Sequence, residues 1–332
     1  MFDITIIGDV TWDNLLMVDT AEAELHCRRK NLECELCFTY GKKIPIREVV
    51  QSVGGNAANV AVASSRLGLK TSIITSIASD KTGLKILETL KSENINTANI
   101  QRLTDTDSNF STIIVFKGER TILVHHQAID YNLPEISTPW IYLTSMAAKS
   151  DQIHSQIIAN INKNHSKLIF QPGTHQIRFG LKGLKNILAS TEVFIANLSE
   201  FQQVLDLKEE KLNYSEDIKI RLIMEKLATN GPKIVILTNG LDGAYLLNDE
   251  HFYHINAWPN RQLVDQTGAG DAFASGFVSA TILRKNVEQA LQWGIANSGS
   301  VVESIGAQAG LLSFNEIVQI INKDQIPTVK SF

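Results

Sequence analysis

Short apolar runs alternate with segments of helical period along most of the 332 residues. The runs are Ile4 to Ile7, Thr71 to Ile77, Trp140 to Leu143, Leu168 to Gln171, Val193 to Ala196 and Ile234 to Thr238, with helical segments such as Gly83 to Glu93, Asp151 to Asn162 and Asp217 to Asn230 between them. A short run without polar alternation is buried on both faces, and an intervening helix carries the chain back so that the next run lies parallel. The pattern predicts an α/β fold, a doubly wound and mostly parallel sheet covered by helices on both faces, with ligands outside the carboxyl ends of the strands. A chain of this length with 44% hydrophobic residues has material for a large core, in one big domain or two smaller ones.

Two segments break the alternation. From Leu15 to Val53 and from Thr104 to Gln127 the text is largely strand-like, and Lys117-Gly118-Glu119-Arg120 reads as a hairpin turn between Ser111–Phe116 and Thr121–Val124.

Chemistry concentrates in Asp265-Gln266-Thr267-Gly268-Ala269-Gly270-Asp271-Ala272-Phe273. Gln262-Leu263-Val264 reads as a strand end and Ala272 to Leu283 has helical spacing, so the glycines mark a strand-to-helix junction. Without Cβ, Gly268 and Gly270 admit positive φ and close approach of a ligand. The amides of Ala269, Gly270 and Asp271 then lie at a helix N-terminus, which favours an anion. Two roles stay open for Asp271: a base taking a hydroxyl proton during phosphoryl transfer, or a helix cap. A second glycine turn, Gly54-Gly55-Asn56-Ala57-Ala58-Asn59, runs into a helix of small residues. The Asn59 amide suits sugar hydroxyls, or is simply a polar residue in a first helical turn.

Together the two turns resemble the ribokinase-like (PfkB) carbohydrate and nucleoside kinases, whose signatures are a GGN-type motif near the N-terminus and a D-T-x-G-A-G-D motif near the C-terminus. Gln266-Thr267 departs from the usual order after the first Asp. Further matches are Ile6 to Asp13, Ala196-Asn197-Leu198-Ser199-Glu200, Thr238 to Gly243 and Gly306-Ala307, so the resemblance spans essentially the whole chain. It implies a single domain over residues 1–332 with a three-layer α/β/α core, and a small β lid from segments about 15–53 and 104–127. It implies transfer of the γ-phosphate of ATP to a hydroxymethyl group of a sugar, with Asp271 as base and Gly268, Ala269 and Gly270 as anion hole. Thr11, Asp13, Gly54, Gly55, Asn59 and Asp271 would hold the acceptor. Asn197, Thr238, Gly240, Gly243, Gly270 and Asn297 would border the nucleotide, and Asn197 with Glu200 would reach Mg2+ through water. A monovalent cation such as K+ is implied beside Asp265, Thr267, Val301, Ser304, Gly306 and Gly310, although Asp265 in a plain Asx turn is the other reading. The lid commonly pairs two subunits in the family, so a homodimer is expected.

The acceptor is less defined. Some members carry a Glu where this chain has Thr144-Ser145-Met146, which puts ribose itself in doubt. Trp12, His125 and His126 are candidate ring contacts, and a nucleoside such as adenosine is the alternative acceptor. A non-catalytic sugar or nucleotide sensor is a second alternative, weighed against by the retention of Asp271, Gly268 and Gly270.

A net charge of −4 argues against a general nucleic-acid binder. No apolar run approaches the length of a membrane span and the N-terminus has no basic leader, so a cytoplasmic protein is expected. Three cysteines do not suggest a disulfide framework. His26, Cys27, Cys34 and Cys37 have zinc-ligand types, but the alternation from Cys34 to Thr39 fits a half-exposed strand, and Arg28-Arg29-Lys30 reads as a solvated turn.

Overall fold

Successive residues of a strand point to opposite faces, and here both faces of each central strand find an apolar partner. Ile4 and Ile6 belong to one buried cluster and Ile7 to another; Tyr142 joins the first, Ile141 and Leu143 the second. The first cluster includes residues of helices Asn56–Arg66, Ala269–Ile282 and Val287–Val301, and the second residues of Asp151–Asn164, Gly180–Ala189 and Glu216–Ala228. Helices therefore cover both sides of the sheet, in the three layers that the alternation predicts.

The computed structural model describes residues 1–19, 21–28, 33–117, 119–127, 131–147, 151–207, 216–323 and 325–332. Arg29 and Lys30 of the basic turn and Gly118 of the hairpin tip lie outside them. Among the described residues the main sheet has nine strands. Thr71–Ile74, Ile4–Ile7, Trp140–Leu143, Lys167–Phe170, Thr191–Asn197 and Ile234–Thr238 run parallel in that spatial order. Ala244–Asn248, His251–Ile255 and Lys330–Ser331 continue it antiparallel. No helix among the described residues is long and apolar enough to cross a membrane.

The strand-like segments form a separate four-stranded sheet, ordered Glu119–His125, Phe110–Phe116, Thr11–Val18 and Ile46–Gly54. Its burial alternates along Thr11–Val18, with Thr11, Asp13, Leu15 and Met17 inside. Leu15, Met17 and Ile113 pack together with Ile305 of the late loop, so this inner face is docked against the main body.

Two expectations are overturned. Gln262 to Val264 is not a strand; the segment has no neighbouring strand to pair with and is tethered by Val264 N and Asp265 N to the Val302 carbonyl, at 2.8 and 3.2 Å. The glycine turn therefore follows an irregular segment. Cys34 is disulfide-bonded while Cys37 is free, where no disulfide was expected. The pairing of strands Glu24–Arg28 and Glu33–Cys37 sets Cys27 opposite Cys34 in register, a proximity that odd cysteine arithmetic could not reveal.

Candidate active site

The first glycine turn makes room for a carboxylate. Gly54 closes its strand opposite Thr11, and a Cβ on it would stand 1.8 Å from Asp13 Oδ2. Gly55 has φ +83° and faces the Asp9 carbonyl, which a Cβ would meet at 2.7 Å. A side chain at Gly54 would displace the Asp13 carboxylate, and one at Gly55 the backbone from Asp9 to Thr11. Asp13 is buried, accepts from Thr11 Oγ1 at 2.8 Å and from the Ser111 hydroxyl, and burial pushes its carboxyl above the usual range.

The second turn meets the first. Asp271 accepts from Asn56 Nδ2 and Asn59 Nδ2, each at 2.9 Å, and from Gln171 Nε2 at 3.1 Å. All three of these donors come from outside its own helix. Burial raises its pKa from 3.8 to about 6, against the lowering effect of the three amides and of Arg120. Gly268 begins the helix in the left-handed region at φ +77° with no side-chain cap, and its missing Cβ accommodates Ala307. A Cβ on Gly270 would meet nothing within 4 Å, which leaves its backbone open to a ligand. The Ala269 amide is engaged by the Gln266 carbonyl at 3.2 Å and is the least available of the three expected donors.

The residues expected to border the nucleotide line the same end of the sheet. Asn197 and Thr238 are register partners on adjacent parallel strands, at their carboxyl ends, and Gln171 follows the next strand over. Asn197 and Glu200 cap one another: Asn197 N donates to Glu200 Oε2 at 2.8 Å and Glu200 N to Asn197 Oδ1 at 2.9 Å. Burial first, and then the Asp271 charge, pushes the Glu200 carboxyl up, so the two acids sense each other. Gly240 has φ +53° and open space around it, and Gly243 has φ +86° against the Ile255 carbonyl.

Residues 14–313 match the family described as pfkB family carbohydrate kinase. The chain belongs to that family. It is a phosphotransferase with an alcohol group as acceptor, and its fold is ribokinase-like. A sugar kinase of Archaeoglobus fulgidus is 28% identical over 74% of this chain and 97% of its own length. The ATP-dependent 6-phosphofructokinase of Thermoanaerobacterium thermosaccharolyticum is 25% identical over 99% of this chain and 93% of its own. Among solved structures, Arabidopsis thaliana ribokinase complexed with ribose and ATP superposes with a TM-score of 0.79 at 18% identity, covering 96% and 98% of the two chains. Methanocaldococcus jannaschii nucleoside kinase does so with 0.75 at 20%, covering 97% and 99%.

Several residues expected in the pfkB site are placed elsewhere. Asn297 is fully buried; its Nδ2 donates to the Ala272 carbonyl at 2.9 Å and its Oδ1 accepts from Leu312 N at 3.0 Å. It clamps two helices and a loop and presents nothing to a nucleotide. Trp12 follows the strand alternation and points opposite to Asp13, with Lys85 Nζ 5.0 Å from its ring centroid. His125 stacks on Phe110 at 5.0 Å, whereas His126 has its pKa lowered by burial and by His175 and His125. Thr144 and Met146 are buried, and Ser145 between them is half-buried.

Asp265 behaves as an Asx turn, accepting at Oδ1 from Thr267 N and Oγ1 at 2.9 and 2.6 Å, and at Oδ2 from Gly306 N at 2.8 Å. Val301 O accepts from Ser304 N at 3.1 Å, and a Cβ on Gly310 would meet Ser300 O at 2.5 Å, so the late loop is a tight backbone turn packed on Asp265. Thr267 Oγ1 also accepts from Arg120 Nη1 at 2.5 Å, and that guanidinium lies 3.5 Å from Asp265 Oδ1. The cation facing the Asp265 carboxylate is an arginine.

Sequence reasoning missed Gln171, Asn56, Gln308 and Arg120. Tyr142 OH donates to Gln171 Oε1, which orients the amide toward Asp271. Gln308 Nε2 donates to Asn59 Oδ1 at 3.0 Å and to Val53 O at 2.9 Å, which fixes the Asn59 amide with its nitrogen toward Asp271. Only Asn56, inside the glycine motif, carried a local signal.

Proposed function

We propose that this protein transfers the γ-phosphoryl group of ATP to a hydroxymethyl group of a sugar or sugar-like alcohol. The observation that carries this reading is a buried carboxylate, Asp271, poised near pH 6 by burial and three amides beside an uncapped glycine turn. Asp13 and Asn59 orient the acceptor hydroxyls, and Asp271 takes the proton of the attacking one. The acceptor oxygen bonds to the γ-phosphorus as the bond to the bridging oxygen breaks, and ADP leaves with that electron pair. Amides of the turn, Gly270 foremost, stabilise the charge that builds on the transferring group. Thr238, Gly240 and Gly243 border the nucleotide, where the open backbone at Gly240 permits close approach.

Mg2+ bound to the phosphates supplies charge neutralisation there. The mutually repelling Glu200 and Asp271 carboxyls fit such a cation, which Asn197 and Glu200 would hold. No step is assigned to K+, because the Asp265 carboxylate already accepts from Thr267 N, Thr267 Oγ1 and Gly306 N. The docked small sheet serves as the lid, excluding water from the transferring phosphoryl. Its outer face exposes Val49, Phe110 and Leu123, and we assign this apolar patch to a homodimer contact.

The sugar acceptor is favoured over a nucleoside because Trp12, the aromatic nearest Asp13 in sequence, points to the opposite face. The retained base and glycines weigh against a sensor. The test is ATP turnover against a panel of sugars, sugar acids and nucleosides. The kinase reading fails where no acceptor raises turnover above background hydrolysis.

A further inference from the structure

The glycine turn is ringed by carboxylates. Asp271 and Asp265 belong to it, Glu200 is within electrostatic reach, and Asp13 lies beside the neighbouring turn. A triphosphate adds more negative charge, and its transfer calls for a cation on the moving phosphoryl. Among the described residues the side-chain cation that reaches the turn is Arg120, from the small sheet.

Its direction follows from register. Arg120 pairs with Val115, and Val115 with Met17, so all three lie on the face of the small sheet that carries Asp13 and Leu15. That face looks into the cleft. One guanidinium nitrogen bonds Thr267 Oγ1 at 2.5 Å, one residue before Gly268. The fork has five N–H donors, so others remain for a planar oxyanion.

Its present partner does not need it. Asp265 accepts three protein hydrogen bonds without Arg120, and the ion pair at 3.5 Å has an arginine side chain 35% exposed. A pair so long contributes little, and the guanidinium is held instead by its 2.5 Å bond to Thr267 Oγ1.

We propose that Arg120 is a catalytic residue: when the small sheet lies over a loaded cleft, its guanidinium bonds the oxygens of the transferring phosphoryl from the side opposite the turn amides. The inference rests on the phosphoryl-transfer reading above and adds nothing to the bonds made and broken there. Because the cation rides on the lid, its contribution exists only with the lid closed, which couples water exclusion to transfer. Its field already opposes the burial that raises the Asp271 pKa.

The experiment compares Arg120→Ala and Arg120→Lys with the unaltered protein in two assays. One is steady-state kinetics with an acceptor from the panel. The other is ADP binding with and without aluminium fluoride, a mimic of the transferring phosphoryl that needs no turnover. Arg120→Ala is expected to lower kcat by ~10²-fold or more while both KM values stay within about threefold, the scale of lost transition-state donors. It should also lose the tightening of ADP by aluminium fluoride, and Arg120→Lys should restore part of both. A kcat within about threefold of the unaltered protein, with the tightening intact, would reduce Arg120 to a lid latch and overturn the proposal. So would a raised acceptor KM at constant kcat, or no tightening in the unaltered protein. Tightening without turnover of any acceptor would instead overturn the sugar-kinase reading and leave Arg120 supported.

Discussion

Burial brings the Asp271 carboxyl toward the ordinary pH range, where the proposed base role needs it. Burial penalises its charge and raises the pKa to about 6, while the Asn56, Asn59 and Gln171 amides limit the rise. The base form is then the minor species below about pH 6 and the major one above. With Asp271 as the essential base of the free enzyme, kcat/KM should rise about tenfold per pH unit below that value and level off above it. A profile flat from pH 5 to 8 would remove Asp271 from the proton transfer. Asp271→Asn should lower kcat by ~10²-fold or more with nucleotide affinity nearly unchanged, read by single-turnover rates and ADP titration. The amide network around Asp271 was only partly legible in sequence. Gln171 lies 100 residues from Asp271 along the chain, and no periodicity relates them.

At the scale of elements, two glycine turns that open two helices are set against each other. Helix Asn56–Arg66 packs on helix Ala269–Ile282, and Asn56 and Asn59 reach across that contact to Asp271. Both turns stood out in sequence because their glycines have local backbone reasons: positive φ at Gly55 and Gly268, and close approach at Gly54. Gly54→Ala would place a methyl group 1.8 Å from Asp13 Oδ2 and must displace that carboxylate. We expect the acceptor KM to rise about tenfold or more, worth roughly 1.4 kcal/mol, with a smaller change in kcat. An unchanged KM would take Asp13 out of the acceptor site. The assignment of Gln262 to Val264 to a strand failed at this same scale, since two apolar residues after a Gln say nothing of whether a neighbouring strand exists to receive them.

For the whole molecule, the small sheet has two faces with different work. The inner face packs through Leu15, Met17 and Ile113 on Ile305 and brings Asp13 and Arg120 to the cleft. The outer face leaves Val49 and Leu123 each 55% exposed, beside Phe110 at 41%. This apolar patch is what the proposed homodimer would cover. Light scattering should give twice the 36.8 kDa chain mass, and Leu123→Asp should return it to that of one chain. A single-chain mass for the unaltered protein would remove the dimer.

Local rules carried the elements and the motifs. Apolar runs and helical periods are written in neighbouring residues, so the layers and most strands were legible, and glycines that a turn demands announce themselves. The convergence of Asn59, Gln171 and Arg120 on one turn was decided only in three dimensions, because hydrogen bonds between distant residues depend on which strands and helices come to lie side by side. Burial did the rest: it withdrew Asn297 into a clamp between helices and raised Asp271 toward neutrality, and neither effect is a property of the residues alone.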